Sequence, residues 1–291
     1  MRKFLLVISL LALSLPLFSR EKIWEGTACR NKRVSLEAFL PEGTPKAAVI
    51  VCPGGSYHWL DEYSEGECVA KWLQQNGFAA YLLRYRVAGK FEFVAKYRAV
   101  FRGRRHPDMI CDLQRSIQLV RERHDCPLGV MGFSAGGHLV MSGGELFGTN
   151  FLERYGIVPE VSLRPDFVVP VYPVVTFTDS RYIHRRSCLG LLGESRYRDR
   201  SLRYSLSLEH HVRPDTPPVF LVNCKDDPIV EWHNSVLLDS ALTLKGVAHK
   251  YLQFSSGGHG FGADPSRQNA ETSTWQDAFL QWFENNIINE K

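Results

Sequence analysis

"GVMGFSAGGHL", residues 129–139, is the stretch whose reading decides the fold. An apolar run stops at Ser134, with Gly132 and Gly136 two positions to either side. The run "LGVMGF" (128–133) has the length and composition of a buried strand, and "AGGHLVMSGGELF" continues from it as a helix. A serine at that junction sits on a sharp strand-to-helix turn, with a strained backbone and a hydroxyl raised above the sheet. Small residues flank it because strand and helix approach too closely for side chains. The helix that begins next turns its free N–H groups and positive dipole end toward the hydroxyl. In this setting G-x-S-x-G predicts a nucleophile at Ser134; the alternative is a glycine-rich turn with no chemistry.

A serine hydroxyl needs a base, and the base needs an orienting acid. On a sheet of this kind they are expected in the order serine, acid, histidine, after later strands. "FLVNCKDDPIVEWHNS" puts Asp226 and Asp227 just past a strand, and "YLQFSSGGHGFG" puts His259 in a glycine loop after the last one. Of the ten histidines only His259 has that place. His138, one helical turn beyond the serine, reads as a packed or capping residue. For His210, His211, His233 and His249 an exposed surface position is expected. Acyl transfer also needs donors for a developing oxyanion. The N–H of Ala135, directly after the serine, is one candidate. "VIVCPGGSYHW" supplies others in Gly54, Gly55 and Ser56, where glycines let the backbone face a substrate.

Outward from these loops the chain alternates strand and helix. "KAAVIVC" (46–52), "FAAYLLRY" (78–85), "DFVVPVYP" (166–173), "PVFLVNC" (218–224) and "HKYLQF" (249–254) read as strands. "EGECVAKWLQQNG" (65–77), "DMICDLQRSIQLVRER" (108–123), "NSVLLDSALTLKG" (234–246) and "TWQDAFLQWFENNI" (274–287) read as helices, the first with Gly77 as its stop. The alternation predicts an α/β fold with a mostly parallel central sheet and helices on both faces. "RVSLEAFLP" is expected to add an antiparallel edge strand.

The 291 residues are 44% hydrophobic and 23% charged, ordinary globular values with enough chain for one large core. No linker, low-complexity tract or repeat divides them. "MRK" followed by the charge-free "FLLVISLLALSLPLF" reads as a secretory signal peptide over residues 1–19, leaving 20–291 as a single domain. A retained membrane anchor is the rival reading, but the run is short for a span and holds Pro16. Without residues 1–19 the formal charge falls from +4 to +2, because Arg2 and Lys3 leave, and nothing points to nucleic acid. The expected location is secreted or periplasmic, with no stable membrane partner after cleavage. Arg84 to Arg105 holds eight basic residues against Glu92 alone. Its 86–105 part is expected to form a loop near the site, and a plain solvated basic loop is the simpler reading. Seven cysteines fit no zinc pattern, and Cys52 and Cys224 read as small buried side chains.

Together "CPGGSYHWLDEYSEGECVAKWLQQNGFAAYLLRYR", "DLQRSIQLVRER", "GVMGFSAGGHL", "VYPVVT", "LLGE", "DTPPVFLVNCKDDPIV" and "GGHGFG" span roughly residues 46 to 262, the first beginning at Cys52. In that order they resemble the α/β-hydrolase superfamily, and within it the bacterial acetyl xylan esterases and related carbohydrate esterases. The serine elbow and histidine loop are widely shared; the joint presence of "EGE", "TPPVF" and "GGHGFG" is more particular. Three features depart from the pattern. "PGGS" stands where many relatives show a histidine and three glycines. "NCKDD" replaces a histidine and small residues. The stretch between "YRV" and "HPDMICD" is longer and more basic. The resemblance implies a single-domain α/β-hydrolase fold and a secreted serine esterase acting on acylated carbohydrate or small esters. No metal or cofactor is implied. Ser134, His259 and Asp227 would form its triad, Asp227 being favoured over Asp226 by the apolar "PIV" that follows. A carboxylesterase or lipase-like enzyme is the alternative, although no long apolar lid is visible. A peptidase of the prolyl-oligopeptidase kind lacks room for its propeller domain, and an inactive binding protein would have lost a triad member.

Overall fold

Strands apolar on both faces need cover on both sides. The computed structural model of the protein, which describes residues 18–31, 33–90 and 104–289, shows how that cover is supplied. The strands are β1 (Phe18–Lys22), β2 (Ser35–Phe39), β3 (Ala48–Cys52), β4 (Ala79–Arg84), β5 (Leu128–Phe133), β6 (Phe167–Val171), β7 (Val219–Cys224) and β8 (His249–Phe254). They form one sheet in the order β1-β2-β4-β3-β5-β6-β7-β8. β1 and β4 flank β2 antiparallel, and every other pairing is parallel. The helices are α1 (Cys68–Gln75), α2 (Asp108–Arg121), α3 (Ala135–Glu145), α4 (Arg185–Leu192), α5 (Arg200–Tyr204), α6 (His233–Leu244) and α7 (Trp275–Phe283).

The core divides by strand alternation. Ala48, Ile50 and Cys52 of β3 face one layer, with Leu113 and Ile117 of α2, Leu139 and Val140 of α3 and Leu238 and Leu242 of α6. Val49 and Val51 face the other, with Val69 and Leu73 of α1 and an aromatic block of Phe167, Phe220, Trp275, Phe279 and Phe283. Every residue of β3, β5, β6 and β7 is buried, as the absence of polar alternation predicted. All of α3 is buried too. Its glycines permit this: a Cβ on Gly143 would press on the Leu113 side chain and one on Gly144 on Val168.

One expectation needs correction. β2 is antiparallel as read, but it is not the sheet edge, because β1 pairs outside it. "FSREK" has no apolar alternation of its own, and its backbone is ordered by the open side of β2. Phe18 and Ser19, counted with the leader, begin β1, while the rest of the expected leader lies outside the described residues. The chain after β1 is pinned by Trp24, whose indole N–H donates to Asp112 Oδ1 at 2.7 Å. The sequence reading also missed α4 and α5. α5 is only five residues, capped by Asp199, which accepts from the Leu202 N–H.

The basic run is not one loop. Arg84 pairs with Glu37 and Glu62. Arg86 is buried and binds both carboxylate oxygens of the fully buried Asp112. Arg105 donates to the Gly190 carbonyl. Residues 91–103, on which most of the loop expectation falls, lie outside the described residues. Among the described residues no helix is long and apolar enough to cross a membrane. All seven cysteines are free thiols, with Cys52 and Cys224 fully buried.

Candidate active site

Parallel pairing sets the site before any side chain does. Cys52 is in register with Gly132 and Phe133 with Val171, so the loops after β3, β5 and β6 leave the sheet side by side. Cys224 is in register with Phe254, which brings the loops after β7 and β8 together in the same way. These are carboxyl ends of parallel strands, where open α/β sheets bind ligands.

Ser134 has φ 54° and ψ −117°, a conformation that costs a non-glycine residue free energy and holds its side chain clear of the sheet. The flanking glycines are sterically required. A Cβ on Gly132 would overlap the Gly136 carbonyl, and one on Gly136 the Cys52 carbonyl. His259 Nε2 lies 2.9 Å from Ser134 Oγ, and His259 Nδ1 lies 2.6 Å from Asp227 Oδ2. With the Nδ1 proton donated to the carboxylate, Nε2 is left to accept from the serine hydroxyl. The Asp227 side chain is 1% exposed, and its other oxygen accepts from the N–H groups of Ile229 and Val230. Asp226 turns the other way and accepts from the N–H groups of Gly257 and Gly258, capping the histidine loop. The structure thus brings Ser134, His259 and Asp227 together and leaves Asp226 out.

The anticipated oxyanion donors divide. Ala135 opens α3, where its N–H has no intrahelical acceptor. The loop after β3 turns sharply through Gly55 (φ 131°), Ser56 (φ 54°) and Tyr57 (φ 62°). No hydrogen bond among the described residues takes up the N–H of Gly55 or Ser56. Gly54 differs: its N–H donates to Glu65 Oε2 at 2.7 Å and is not free for a substrate. That removes Gly54 from the expected donors. The competing acceptor comes from a helical turn, Tyr63–Glu67, that no local pattern places under this loop.

Glu65 is a site neighbour the sequence reading did not assign, although "EGE" stood out. It is buried, and burial pushes its pKa up to about 7 against the opposing pull of His259, the Gly54 N–H and the Tyr172 hydroxyl. Tyr172 donates to Glu65 Oε1 at 3.0 Å, and its ring packs 4.6 Å from the His259 ring. The start of α4 and the residue before it add two more side chains without a sequence signal. Arg186 donates to Ser56 Oγ at 3.1 Å and lies over the Trp59 ring. His184, just before α4, has its pKa pushed down to about 4 by burial, with Arg186 and His259 adding to the shift.

The remaining histidines take other parts. His138 is buried, with Nδ1 2.7 Å from the Tyr57 hydroxyl and Nε2 2.8 Å from the Leu206 carbonyl, a packing role. His210 is exposed as expected, whereas His211, His233 and His249 are half-buried. His233 is stacked between Tyr182 and Trp232. Among the described residues no group of three or more His, Cys, Asp or Glu is arranged to hold a metal ion.

Comparison with known proteins shows the family and the fold. The BD-FAE family model matches residues 36–242. An acetylxylan esterase of Xylanibacter ruminicola is 30% identical over 240 residues, covering 79% of this chain and 44% of that protein. An endo-1,4-beta-xylanase B of Butyrivibrio fibrisolvens is 29% identical over 253 residues, covering 83% and 37% respectively. The chain therefore spans less than half the length of these curated relatives. The acetyl ester-xyloside bifunctional hydrolase of Caldicellulosiruptor lactoaceticus superposes with a TM-score of 0.79 at 30% identity, covering 94% of this chain and 98% of that one. The shared architecture is the α/β-hydrolase fold.

Proposed function

The chain belongs to the BD-FAE family, and from that membership we propose that it is an exported serine esterase that removes acyl groups, acetyl foremost, from carbohydrate. The observation that carries the reading is the unbroken chain from Ser134 Oγ through His259 to Asp227, at 2.9 and 2.6 Å. Both are hydrogen-bond distances, the first suited to proton transfer and the second to orienting the ring. Ser134 attacks the ester carbonyl while His259 takes its proton. Asp227 holds the ring and stabilises the imidazolium. The N–H groups of Ala135, Gly55 and Ser56 receive the oxyanion. The imidazolium then protonates the departing sugar hydroxyl, and a water activated by His259 releases the acid from the acyl-enzyme.

The names of the similar proteins, an acetylxylan esterase and an acetyl ester-xyloside hydrolase, support acetylated xylan-type substrates. Export rests on the charged and apolar residues 1–19, with 20–291 as one hydrolase domain. The test is a release assay with acetylated xylan, p-nitrophenyl acetate and longer-chain esters side by side, on wild type and Ser134→Ala. Acetyl release and short-chain preference are expected. The alanine variant should lose several orders of magnitude while a serine-directed phosphonate labels Ser134 in the wild type. Near-normal turnover in Ser134→Ala, or labelling at another residue, overturns the mechanism. Preference for long acyl chains overturns the substrate class.

A further inference from the structure

The loop expected to receive the oxyanion and the loop that carries His259 come from strands on opposite sides of β5. Both end on one buried side chain. Gly54, in the first loop, donates its N–H to Glu65 Oε2 at 2.7 Å. Gly262, in the second, donates its N–H to the Tyr172 hydroxyl at 3.1 Å, and that hydroxyl donates to Glu65 Oε1 at 3.0 Å. The turn that carries Glu65 is itself clamped to the histidine loop: the Ala263 N–H donates to the Ser64 carbonyl, and Ser64 Oγ to Asp264. Two donors, the Gly54 N–H and the Tyr172 O–H, reach the carboxylate oxygens, one on each, so the carboxylate is bonded as an anion would be.

We propose, resting on the esterase reading above, that Glu65 is the positioning residue that locks the oxyanion loop to the His259 loop and presents a second negative charge behind the imidazolium. Pulling the Gly54 N–H inward orients the next peptide planes, so that the N–H groups of Gly55 and Ser56 point out of the loop. Holding Tyr172 under the His259 ring keeps Nε2 at the serine. The neighbours that face Glu65 are His259, Asp61, Arg267, Tyr172 and Tyr85. Of these, His259 is the one that gains charge in the reaction. Glu65 acts through these groups and touches no substrate.

The experiment compares wild type, Glu65→Gln and Tyr172→Phe on p-nitrophenyl acetate across pH, with folding checked by circular dichroism. Glu65→Gln keeps shape and one acceptor oxygen but loses the charge. Its kcat should fall about 100-fold, the scale of a sub-ångström to 1 Å misplacement at a reacting centre, with KM within about twofold. Its acid limb of kcat/KM should move to lower pH, because the second anion no longer faces the imidazolium, Asp227 alone remains, and Glu65 no longer has to ionise. Tyr172→Phe removes a donor that favours the ionised carboxylate, so its acid limb should move to higher pH. Opposite movements are a signature that mere loosening does not produce. If Glu65→Gln does not fold, the direction seen in Tyr172→Phe decides alone. Wild-type profiles in a folded Glu65→Gln, or an unmoved limb in Tyr172→Phe, overturn the inference. If the wild type itself hydrolyses no ester and Ser134 is not labelled, the esterase reading falls and this falls with it. An active wild type with unaffected variants sinks only the role of Glu65.

Discussion

Glu65→Gln should change how stability depends on pH, and the size follows from burial. In the folded protein the Glu65 pKa is raised from the ordinary carboxylate value of 4.5 to about 7, desolvation being the main cause. A group whose folded pKa is raised favours the folded state while protonated. Its contribution is therefore fully present below 4.5 and is lost as pH climbs through about 7. Each step of one in pKa is about 1.4 kcal/mol, so the rise is worth about 3 kcal/mol, and the side chain is buried enough that solvent screening does not reduce it. Glutamine does not titrate. Urea unfolding of both proteins at roughly pH 4 and pH 8 isolates the effect, with stability read by linear extrapolation. The wild type should lose about 3 kcal/mol more than Glu65→Gln between the two conditions. Parallel stability curves would show that Glu65 ionises as easily folded as unfolded, and the account of a buried carboxylate beside His259 would be wrong. A stabler but slower variant at high pH is what a site residue retained against stability produces.

Asp227→Asn should cut kcat by about 10⁴-fold, since an amide leaves His259 without an anionic partner at Nδ1. Asp226→Asn loosens only the cap on the Gly257 and Gly258 N–H groups and should cost a few-fold. Steady-state kinetics of the pair decides, and the reverse ranking would refute the assignment. Arg86→Met should destabilise the protein by about 3–5 kcal/mol, because Asp112 is then a buried carboxylate without its cation. Asp112→Asn in the same chain should recover part of that loss in urea unfolding. An Arg86→Met midpoint equal to wild type would mean that the buried pair contributes nothing.

How much the sequence determined by itself can be seen element by element. β5 and β8 fall at the residues their apolar runs mark out, and α1, α2, α6 and α7 end within a few residues of their periodic patterns. The elbow at Ser134 could be read because everything it requires is local: a strand, two small residues and a helix start. Asp227 and His259 were readable as candidates because chain order on this fold is fixed by strand connections. The rest was decided by contacts between distant segments. β1 exists because β2 offers an unpaired side, which no property of "FSREK" encodes. Gly54 lost its N–H to a residue eleven positions on, through a turn whose placement depends on the packed β3 and β8 loops. His184, just before α4, and Arg186, in its first turn, reach the site through a helix with no capping signal of its own. Asp226 and Asp227 are chemically identical neighbours. What separates them is the in-register pairing of Cys224 with Phe254, which sets one carboxylate against the glycine loop and the other against His259. Periodicity and turn chemistry act over a few residues and are written in the chain. Register, burial and the pKa of a carboxylate arise only when remote segments exclude water from one another, and that the tertiary structure alone decides.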